Sequence, residues 1–390
     1  MTRANITLCL YALFNVARDI YSTCGIYVDI IVRLSQFQKS VVFEIGSAFA
    51  PISLKPYANA AIQGRSFKTR PTFERTSGNK ITWETLMERF KTSDAKELVY
   101  SRFEPKDKPK AVALIGHGMN DHKERFERLA QELVSIGVST WIPDLRGHGD
   151  TDTGANRGYL ADHDGFERVV QDLVELGDFA SKTLGELPLF YFGHSFGALL
   201  GFALIATNGK YLDGAILSAP PEQPAPLLDR AGGLIVNIGG TLKGWHAPAK
   251  LPNQMSFGQY AKTVANARTR FDWLTRDQSV VDAYIADPKC NFTCSYGFYR
   301  DLIHGLRKVY GEGFLESIPP TLPLFLFCGS ADPVIGMRKG YEALTQRCKR
   351  LGIIDFESKC YEGGRHESLN EINKEEILSD IVDWFSRHIR

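Results

Sequence analysis

Short, continuous apolar runs alternate with amphipathic stretches over most of the sequence after residue 84. After a predicted hairpin over 90–103, the predicted strands lie at 111–115, 139–143, 189–192, 214–218, 322–327 and 356–361. The predicted helices lie at 124–136, 165–184, 198–206, around 341–343 and at 375–388. Continuous rather than alternating runs are typical of strands that helices cover on both faces. The pattern therefore predicts a doubly wound α/β domain with a mostly parallel sheet.

One stretch, about 221–318, interrupts this alternation. It is rich in proline, glycine and helical patterns and has no strand signal. Active sites of open α/β sheets lie at the carboxyl ends of the strands, where such an insertion must sit. We therefore predict a helical cap with an apolar lining, the alternative being a second small core. The predicted lining residues are Leu234, Ile235, Val236, Ile238 and Trp245.

Residues 1–83 form a predicted N-terminal extension, and residues 84–390 the main domain. Apolar residues recur at helical spacing in the extension: Leu13, Val16, Ile20, Cys24, Tyr27, Ile31 and Leu34. Charged residues interrupt the stretch too often for a membrane span. An amphipathic helix against the domain or a partner, one lying in a membrane interface, and a cleaved targeting segment stay open. A polar linker is predicted over 50–82.

Charge and cysteine content exclude several classes of protein. The formal net charge is only +1, so nothing global indicates a nucleic-acid partner, although the first 80 residues hold ten Lys/Arg against four Asp/Glu. The seven cysteines form no CxxC pair, which argues against a disulfide framework or a zinc site. We expect reduced, mostly buried thiols. The compartment stays open between cytoplasm and peripheral membrane association.

The strongest chemical signal is Gly193-His194-Ser195-Phe196-Gly197, a G-x-S-x-G motif between a predicted strand and a predicted helix. A tight turn there exposes the serine hydroxyl at a helix N-terminus, where the dipole favours developing negative charge. Ser195 is therefore the predicted nucleophile. The side chain of His194 is expected to point away from the site.

A serine nucleophile requires a base that a carboxylate orients. His366 follows the last predicted strand behind a glycine pair, and is the predicted base. Asp332 follows the preceding strand and is the predicted acid, with a second possible role as N-cap of the next helix. Glu222 is the weaker rival for the acid. The chain order Ser195, Asp332, His366 is the order expected of α/β-hydrolases.

Two backbone N–H groups must stabilise the oxyanion. One is expected from Phe196, which follows the nucleophile. The other is expected from the loop Gly116-His117-Gly118-Met119 after the first parallel strand, with Met119 as the donor. No metal ion or organic cofactor is required by this chemistry.

The sequence also resembles the monoacylglycerol lipase and lysophospholipase branch of the α/β-hydrolases, the serine aminopeptidase-type hydrolase domain. The resemblance covers about residues 85–390. Its motifs are His117-Gly118-Met119-Asn120-Asp121-His122 with Arg125-Phe126, Asp144-Leu145-Arg146-Gly147-His148-Gly149, and Leu274-Thr275-Arg276-Asp277 with Tyr284 and Ala286-Asp287-Pro288. We interpret the second motif as a structural turn.

The resemblance implies an eight-stranded, mostly parallel α/β-hydrolase sheet and a serine hydrolase of lipid-like esters, with a monoacylglycerol or lysophospholipid as substrate. Peripheral membrane contact through the N-terminal segment would suit such a substrate. A small-ester esterase, an aminopeptidase or an acyltransferase on the same fold stays open. An inactive binding or scaffold protein is the remote alternative.

Overall fold

The computed structural model describes residues 68–69 and 84–389, and these contain one sheet. Its strands are β1 Lys68–Thr69, β2 Glu84–Lys91, β3 Glu97–Glu104, β4 Ala111–Gly116, β5 Val138–Pro143, β6 Leu189–His194, β7 Gly214–Ser218, β8 Leu324–Gly329 and β9 Phe356–Tyr361. They are ordered β1-β2-β3-β5-β4-β6-β7-β8-β9. The pairs from β5 to β9 are parallel, whereas β1, β2 and β3 join antiparallel. The predicted eight-stranded sheet is confirmed, with the two-residue β1 added at its edge.

Helices cover both faces of this sheet. In the described residues they are α1 Glu127–Ser135, α2 Gly165–Thr183, α3 Phe196–Asn208, α4 Pro226–Lys243, α5 Lys250–Tyr260, α6 Gln278–Ala286, α7 Tyr296–Val309, α8 Met337–Arg350 and α9 Lys374–His388. Val112 and Leu114 of β4 pack into a core with α2, α3, α7 and α8. Ala113 and Ile115 point the other way, into a core with α1 and α9. Burial on both faces explains the continuous apolar runs.

The insertion between β7 and β8 carries α4, α5, α6 and α7, which confirms its helical character. Its residues divide between two cores: Phe298 of α7 packs in the main core, whereas Phe271, Trp273 and Leu274 pack in a smaller one. Of the predicted lining residues, Val236 is buried in the main core and Leu234 is 37% exposed. They therefore do not share one surface, and an acyl-binding role for them stays a prediction.

The insertion is fastened to loops at the carboxyl edge of the sheet. His122 Nε2 lies 2.9 Å from Asp287 Oδ2, and the Asn120 side chain donates to the Phe292 carbonyl. Lys289 Nζ lies 2.9 Å from Asp150 Oδ1. Because β4, β6, β8 and β9 are parallel, their carboxyl ends meet at this same edge. The insertion therefore lies where a cap over the predicted site must be.

The start of the hairpin differs from its prediction, whereas the described cysteines agree with theirs. The hairpin begins at Glu84, six residues before its predicted start, because β2 pairs with β3 along its whole length. The five described cysteines are all free, and four are buried: Cys290, Cys294, Cys328 and Cys348. No helix among the described residues has the length and apolarity to cross a bilayer. Within the predicted linker, Lys68–Thr69 form β1 and pair with β2. The expectations for residues 1–67 and for the rest of the linker fall outside the described residues, and the division at residue 83 stays a prediction.

Candidate active site

Ser195 occupies a sharp turn between β6 and α3. Its backbone has φ 54° and ψ −114°, a conformation that a residue with a side chain rarely adopts. The flanking glycines make the turn possible, because a Cβ on Gly197 would lie 2.0 Å from the Gly116 carbonyl oxygen. A Cβ on Gly193 would lie 2.4 Å from the Gly197 oxygen. The serine is thereby held at the N-terminus of α3, half-buried.

His366 contacts both other members of the predicted triad. Its Nε2 lies 2.9 Å from Ser195 Oγ, and its Nδ1 lies 3.0 Å from Asp332 Oδ2 and 3.1 Å from Oδ1. Asp332 is fully buried and His366 is 4% exposed. With the Nδ1 proton donated to the carboxylate, Nε2 is free to accept the serine proton. The structure thus brings together three residues that lie 34 and 171 positions apart.

The acid and base loops pack backbone against backbone. A Cβ on Gly329 would lie 2.0 Å from the Gly364 carbonyl oxygen, and Ala331 N–H donates to that oxygen at 2.9 Å. Asp332 Oδ1 also accepts the Val334 N–H at 2.8 Å. Asp332 is not the N-cap of the following helix, because α8 begins at Met337 behind Gly336. The hydrogen bond from the Val334 N–H therefore stabilises the loop that carries Asp332 rather than the start of α8.

The two predicted oxyanion donors belong to the two segments that adjoin Ser195, α3 and the loop after β4. Phe196 is the first residue of α3, so its N–H has no acceptor within the helix. The loop that carries Met119 approaches from β4, and a Cβ on Gly118 would lie only 3.3 Å from the Ser195 Cβ. Glycine at 118 therefore permits the close approach that the prediction requires. The roles of Met119 and Phe196 as oxyanion donors stay predictions.

The expectation for His194 is wrong. Its ring lies against the ring of His366, with the centroids 4.8 Å apart, and its Nδ1 lies 3.3 Å from Ser218 Oγ. Burial and the neighbouring His366 lower the pKa of His194 to about 4. The ring turns toward the site because β6 and β7 run side by side and leave Ser218 opposite it.

A buried charge cluster adjoins the site. Arg125 binds Glu367 through Nη1 at 2.8 Å and Nη2 at 2.5 Å, and Asp121 through Nη1 at 3.0 Å. Burial alone would raise the pKa of Asp121 and of Glu367, but the Arg125 charge outweighs it and lowers both. Because Glu367 follows His366 directly, this ion pair anchors the base loop to the loop after β4. Sequence reasoning missed it, and the adjacency of Glu367 to the histidine was its only local signal.

The Arg146-Gly147-His148-Gly149 loop is a buried turn, in agreement with its structural interpretation. Arg146 Nη2 lies 2.8 Å from Asp172 Oδ1, and Gly149, with φ 51°, leaves no room for a Cβ beside the Asp144 carboxylate. Burial is the main influence on His148 and lowers its pKa to about 3.

Two groups of described residues bring three potential metal-ligand atoms within 4.8 Å of one another. The first is Glu124, Asp144 and Asp150, and the second is His122, Asp287 and Cys290. In the first, Lys123 Nζ already lies 2.7 Å from Asp144 and 2.5 Å from Asp150. In the second, His122 bonds to Glu124 and Asp287. The Lys123 ammonium therefore takes the place of a cation in the first group, and both ring nitrogens of His122 are already hydrogen-bonded in the second.

Comparisons with known proteins agree with this geometry. The family model for serine aminopeptidase, S33, matches residues 107–373. Mouse monoglyceride lipase is 26% identical over 306 residues, which is 76% of this chain and 89% of its own. A monoacylglycerol lipase from Mycolicibacterium smegmatis is 27% identical over 298 residues, 75% of this chain and 94% of its own.

Solved structures show the same fold. A carboxyl esterase from Bacillus coagulans has a TM-score of 0.72 at 23% identity, covering 78% of this chain and 98% of its own. A soluble variant of Saccharomyces cerevisiae monoglyceride lipase has a TM-score of 0.60 at 18% identity, covering 86% of this chain and 100% of its own. The match of the family model to well over half of the chain shows that the protein is an α/β-hydrolase belonging to the serine aminopeptidase S33 family.

Proposed function

We propose that the protein is a serine hydrolase that cleaves carboxylic esters of lipid-like substrates, a monoacylglycerol or lysophospholipid, through an acyl-enzyme on Ser195. The observation that carries the proposal is the pair of contacts made by His366, 2.9 Å to Ser195 Oγ and 3.0 Å to Asp332 Oδ2. A serine hydroxyl, an imidazole and a buried carboxylate in this order are the components of nucleophilic acyl transfer.

In the acylation step, Ser195 Oγ attacks the ester carbonyl carbon while His366 Nε2 takes its proton. Asp332 holds the imidazole with Nε2 toward the serine and stabilises the imidazolium that forms. The N–H groups of Met119 and Phe196 receive the oxyanion of the tetrahedral intermediate. The C–O bond to the alcohol then breaks, and His366 gives its proton to the leaving alkoxide oxygen.

In the deacylation step, His366 Nε2 takes a proton from water as the water oxygen attacks the acyl carbon. The acyl–Ser195 bond breaks, and the proton returns to Ser195 Oγ, which releases the free acid. The donors that held the first oxyanion hold the second. The chain's own groups supply every proton transfer in both steps.

Two findings support a lipid-like substrate. Relatives from mouse and Mycolicibacterium smegmatis are named monoglyceride and monoacylglycerol lipases, and each match covers about three quarters of this chain. The cap helices α4 and α5 also expose large apolar side chains to solvent: Leu227, Leu228, Leu234, Leu242, Leu251 and Met255. Exposed apolar side chains on the cap favour contact with a poorly soluble ligand or its aggregate.

The family name also raises the aminopeptidase alternative. An aminopeptidase must bind a substrate ammonium group, which calls for a carboxylate that no side chain already neutralises. The two buried carboxylates beside the site, Asp121 and Glu367, both bind Arg125. This pairing makes Asp121 and Glu367 unavailable as partners for a peptide N-terminus.

The test is hydrolysis of 2-oleoylglycerol, oleoyl lysophosphatidylcholine and p-nitrophenyl butyrate by wild type and Ser195→Ala. Ser135→Ala is the matched control, because that serine is exposed at the end of α1. We expect long-chain turnover by wild type and by the control, and a loss of about 10³-fold or more in kcat for Ser195→Ala. Turnover of the short ester alone would overturn the lipid assignment. Equal turnover by wild type and Ser195→Ala would overturn the nucleophile.

A further inference from the structure

Segment 272–276 of the cap is hydrogen-bonded along the loop that carries His366. Four consecutive carbonyl groups of the segment accept bonds from residues 365–367. The His366 N–H donates to the Trp273 carbonyl at 3.3 Å, and the Glu367 N–H to the Leu274 carbonyl at 2.7 Å. Arg365 Nη1 lies 2.5 Å from the Asp272 carbonyl and 3.0 Å from that of Thr275. The histidine backbone is therefore held from the cap side on both flanks.

The Glu371 side chain connects segment 272–276 of the cap to the loop that carries His366. It is fully buried, and its Oε1 accepts the Arg365 N–H at 2.9 Å and the Arg276 N–H at 3.1 Å. Its Oε2 accepts the Arg276 Nε–H at 2.8 Å. A buried carboxylate without its cation is strongly unfavourable, so Arg276 and the loop around His366 are bound through one charge. The same carboxylate thus contacts the cap and the residue just before His366.

The Arg276 guanidinium also covers the glycine turn that leads to His366. Gly363 has φ 65°, and a Cβ there would lie 3.1 Å from Arg276 Nη1. Arg276 Nη2 donates to Asn373 Oδ1 at 2.9 Å. Arg276 therefore packs across the base loop from Gly363 to Asn373. This contact gives a role to the Leu274-Thr275-Arg276-Asp277 motif, which the proposed chemistry leaves unexplained.

We propose that Arg276 is a positioning residue for His366, so that the cap and the catalytic histidine move as one unit. The inference rests on the proposed function of His366 as the base. Through Glu371, Arg276 fixes the Arg365–His366 backbone relative to Ser195. A displacement of about 1 Å would take the Nε2–Oγ pair beyond hydrogen-bond range and lower turnover by about 10²-fold.

The variants are Arg276→Gln, Arg276→Lys, Glu371→Gln and the double variant Arg276→Gln/Glu371→Gln. Arg268→Gln is the matched control, because Arg268 pairs with Asp282 at 2.6 Å in the same cap. Arg276 is 27% exposed in its side chain, so its variants are expected to fold even if Glu371→Gln does not. A thermal unfolding scan of each variant checks this.

Two rates are measured: hydrolysis of p-nitrophenyl butyrate, and inactivation by a fluorophosphonate, which requires an activated serine but no lipid recognition. For Arg276→Gln we expect kcat and the inactivation rate to fall by about 10- to 100-fold, with KM changed by less than about threefold. The inactivation end point, which counts active sites, stays at one per chain. Arg276→Lys recovers most of the rate, and Arg268→Gln matches wild type.

The double variant is expected to lose no more than the worse single variant, because the two residues act through one contact. A rate for Arg276→Gln within twofold of wild type would overturn the inference. So would a loss explained by a lower number of active sites, which a merely structural role produces. If wild type reacts with the fluorophosphonate but cleaves no lipid, the substrate proposal fails while the labelling rates still decide the role of Arg276.

Discussion

The imidazole rings of His194 and His366 lie 4.8 Å apart, one directly before Ser195 and the other at the predicted base position. Burial and the neighbouring His366 lower the pKa of His194 to about 4. His194 is therefore neutral at physiological pH, so the imidazolium that the proposed mechanism forms on His366 faces an uncharged neighbour.

This arrangement predicts an acid-sensitive contribution to stability. The unfolded chain takes up a proton on His194 near its ordinary pKa of 6.5, whereas the folded protein does not until about pH 4. Stability is therefore lost as the pH falls from 6.5 toward 4. For this one residue we expect a loss of roughly 2 kcal/mol between pH 7 and 4.5.

The measurement is urea unfolding of wild type and His194→Asn at the two pH values. The substitution removes the titrating group. The free energy of unfolding of His194→Asn should therefore fall by roughly 2 kcal/mol less than that of wild type between pH 7 and 4.5. An identical pH dependence in both proteins would show that His194 titrates normally in the folded state. Burial lowers the pKa of His148 to about 3, so this residue also makes the protein less stable at acid pH. Its contribution is the same in wild type and in His194→Asn and cancels in the comparison.

Two helical glycines are predicted to respond oppositely to alanine. A Cβ on Gly197 would lie 2.0 Å from the Gly116 oxygen and 2.8 Å from the His117 oxygen, so Gly197→Ala must push α3 away from the loop after β4. We expect a destabilisation of about 3 kcal/mol or more and loss of hydrolysis. A Cβ on Gly232, in α4, meets nothing within 4 Å, so Gly232→Ala should stabilise by about 0.5–1 kcal/mol. Thermal unfolding of the pair decides the matter, and equal effects would refute the close packing around Ser195.

Asp332→Asn is predicted to separate orientation of His366 from folding. The amide keeps an oxygen for the Val334 N–H, which Asp332 Oδ1 accepts at 2.8 Å. It no longer stabilises an imidazolium, and it favours the wrong imidazole tautomer. We expect kcat to fall by about 10³- to 10⁴-fold, with the melting temperature changed by only a few degrees. A loss of kcat of less than about tenfold would show that Asp332 is not the acid of the triad. Glu222→Gln is the comparison variant, because Glu222 is the other candidate for that role.

Chelation is predicted to leave activity unchanged. Lys123 Nζ, which is fully buried, lies 2.7 Å from Asp144 and occupies the centre of the Glu124, Asp144 and Asp150 group. Burial alone would lower the pKa of Lys123, but the surrounding carboxylates raise it, so the ammonium stays charged. Dialysis against EDTA, followed by the ester assay, should give the same kcat as untreated protein. A loss that added metal restores would contradict this.

The strands and the triad were predictable because their signals are local. β7 begins and ends at the predicted residues, since a strand buried on both faces forces a continuous apolar run. β9 also has its predicted bounds, although only Tyr361 of this edge strand is buried. Ser195, Asp332 and His366 each follow a strand, and parallel strands bring such positions to one edge. Gly363 and Gly364 marked the base loop through their own turn chemistry.

The contacts around the histidine loop were not predictable from the sequence. Arg125 meets Glu367 across 242 positions, and Arg276 meets Glu371 across 95, so no local pattern connects the partners. His194 was misjudged because its ring direction depends on Ser218 of the neighbouring strand. The cap residues are shared between two cores and solvent, so the sequence does not show which of them line the site.

The most direct test of the account is reaction with a long-chain alkyl fluorophosphonate, followed by peptide mapping, in wild type and His366→Ala. Because His366 Nε2 lies 2.9 Å from Ser195 Oγ, we predict one adduct per chain in wild type, on Ser195. Labelling of His366→Ala should be slower by about 10³-fold or more. An adduct on another residue, or equal labelling rates in the two proteins, would contradict the claim that His366 activates Ser195 for acyl transfer.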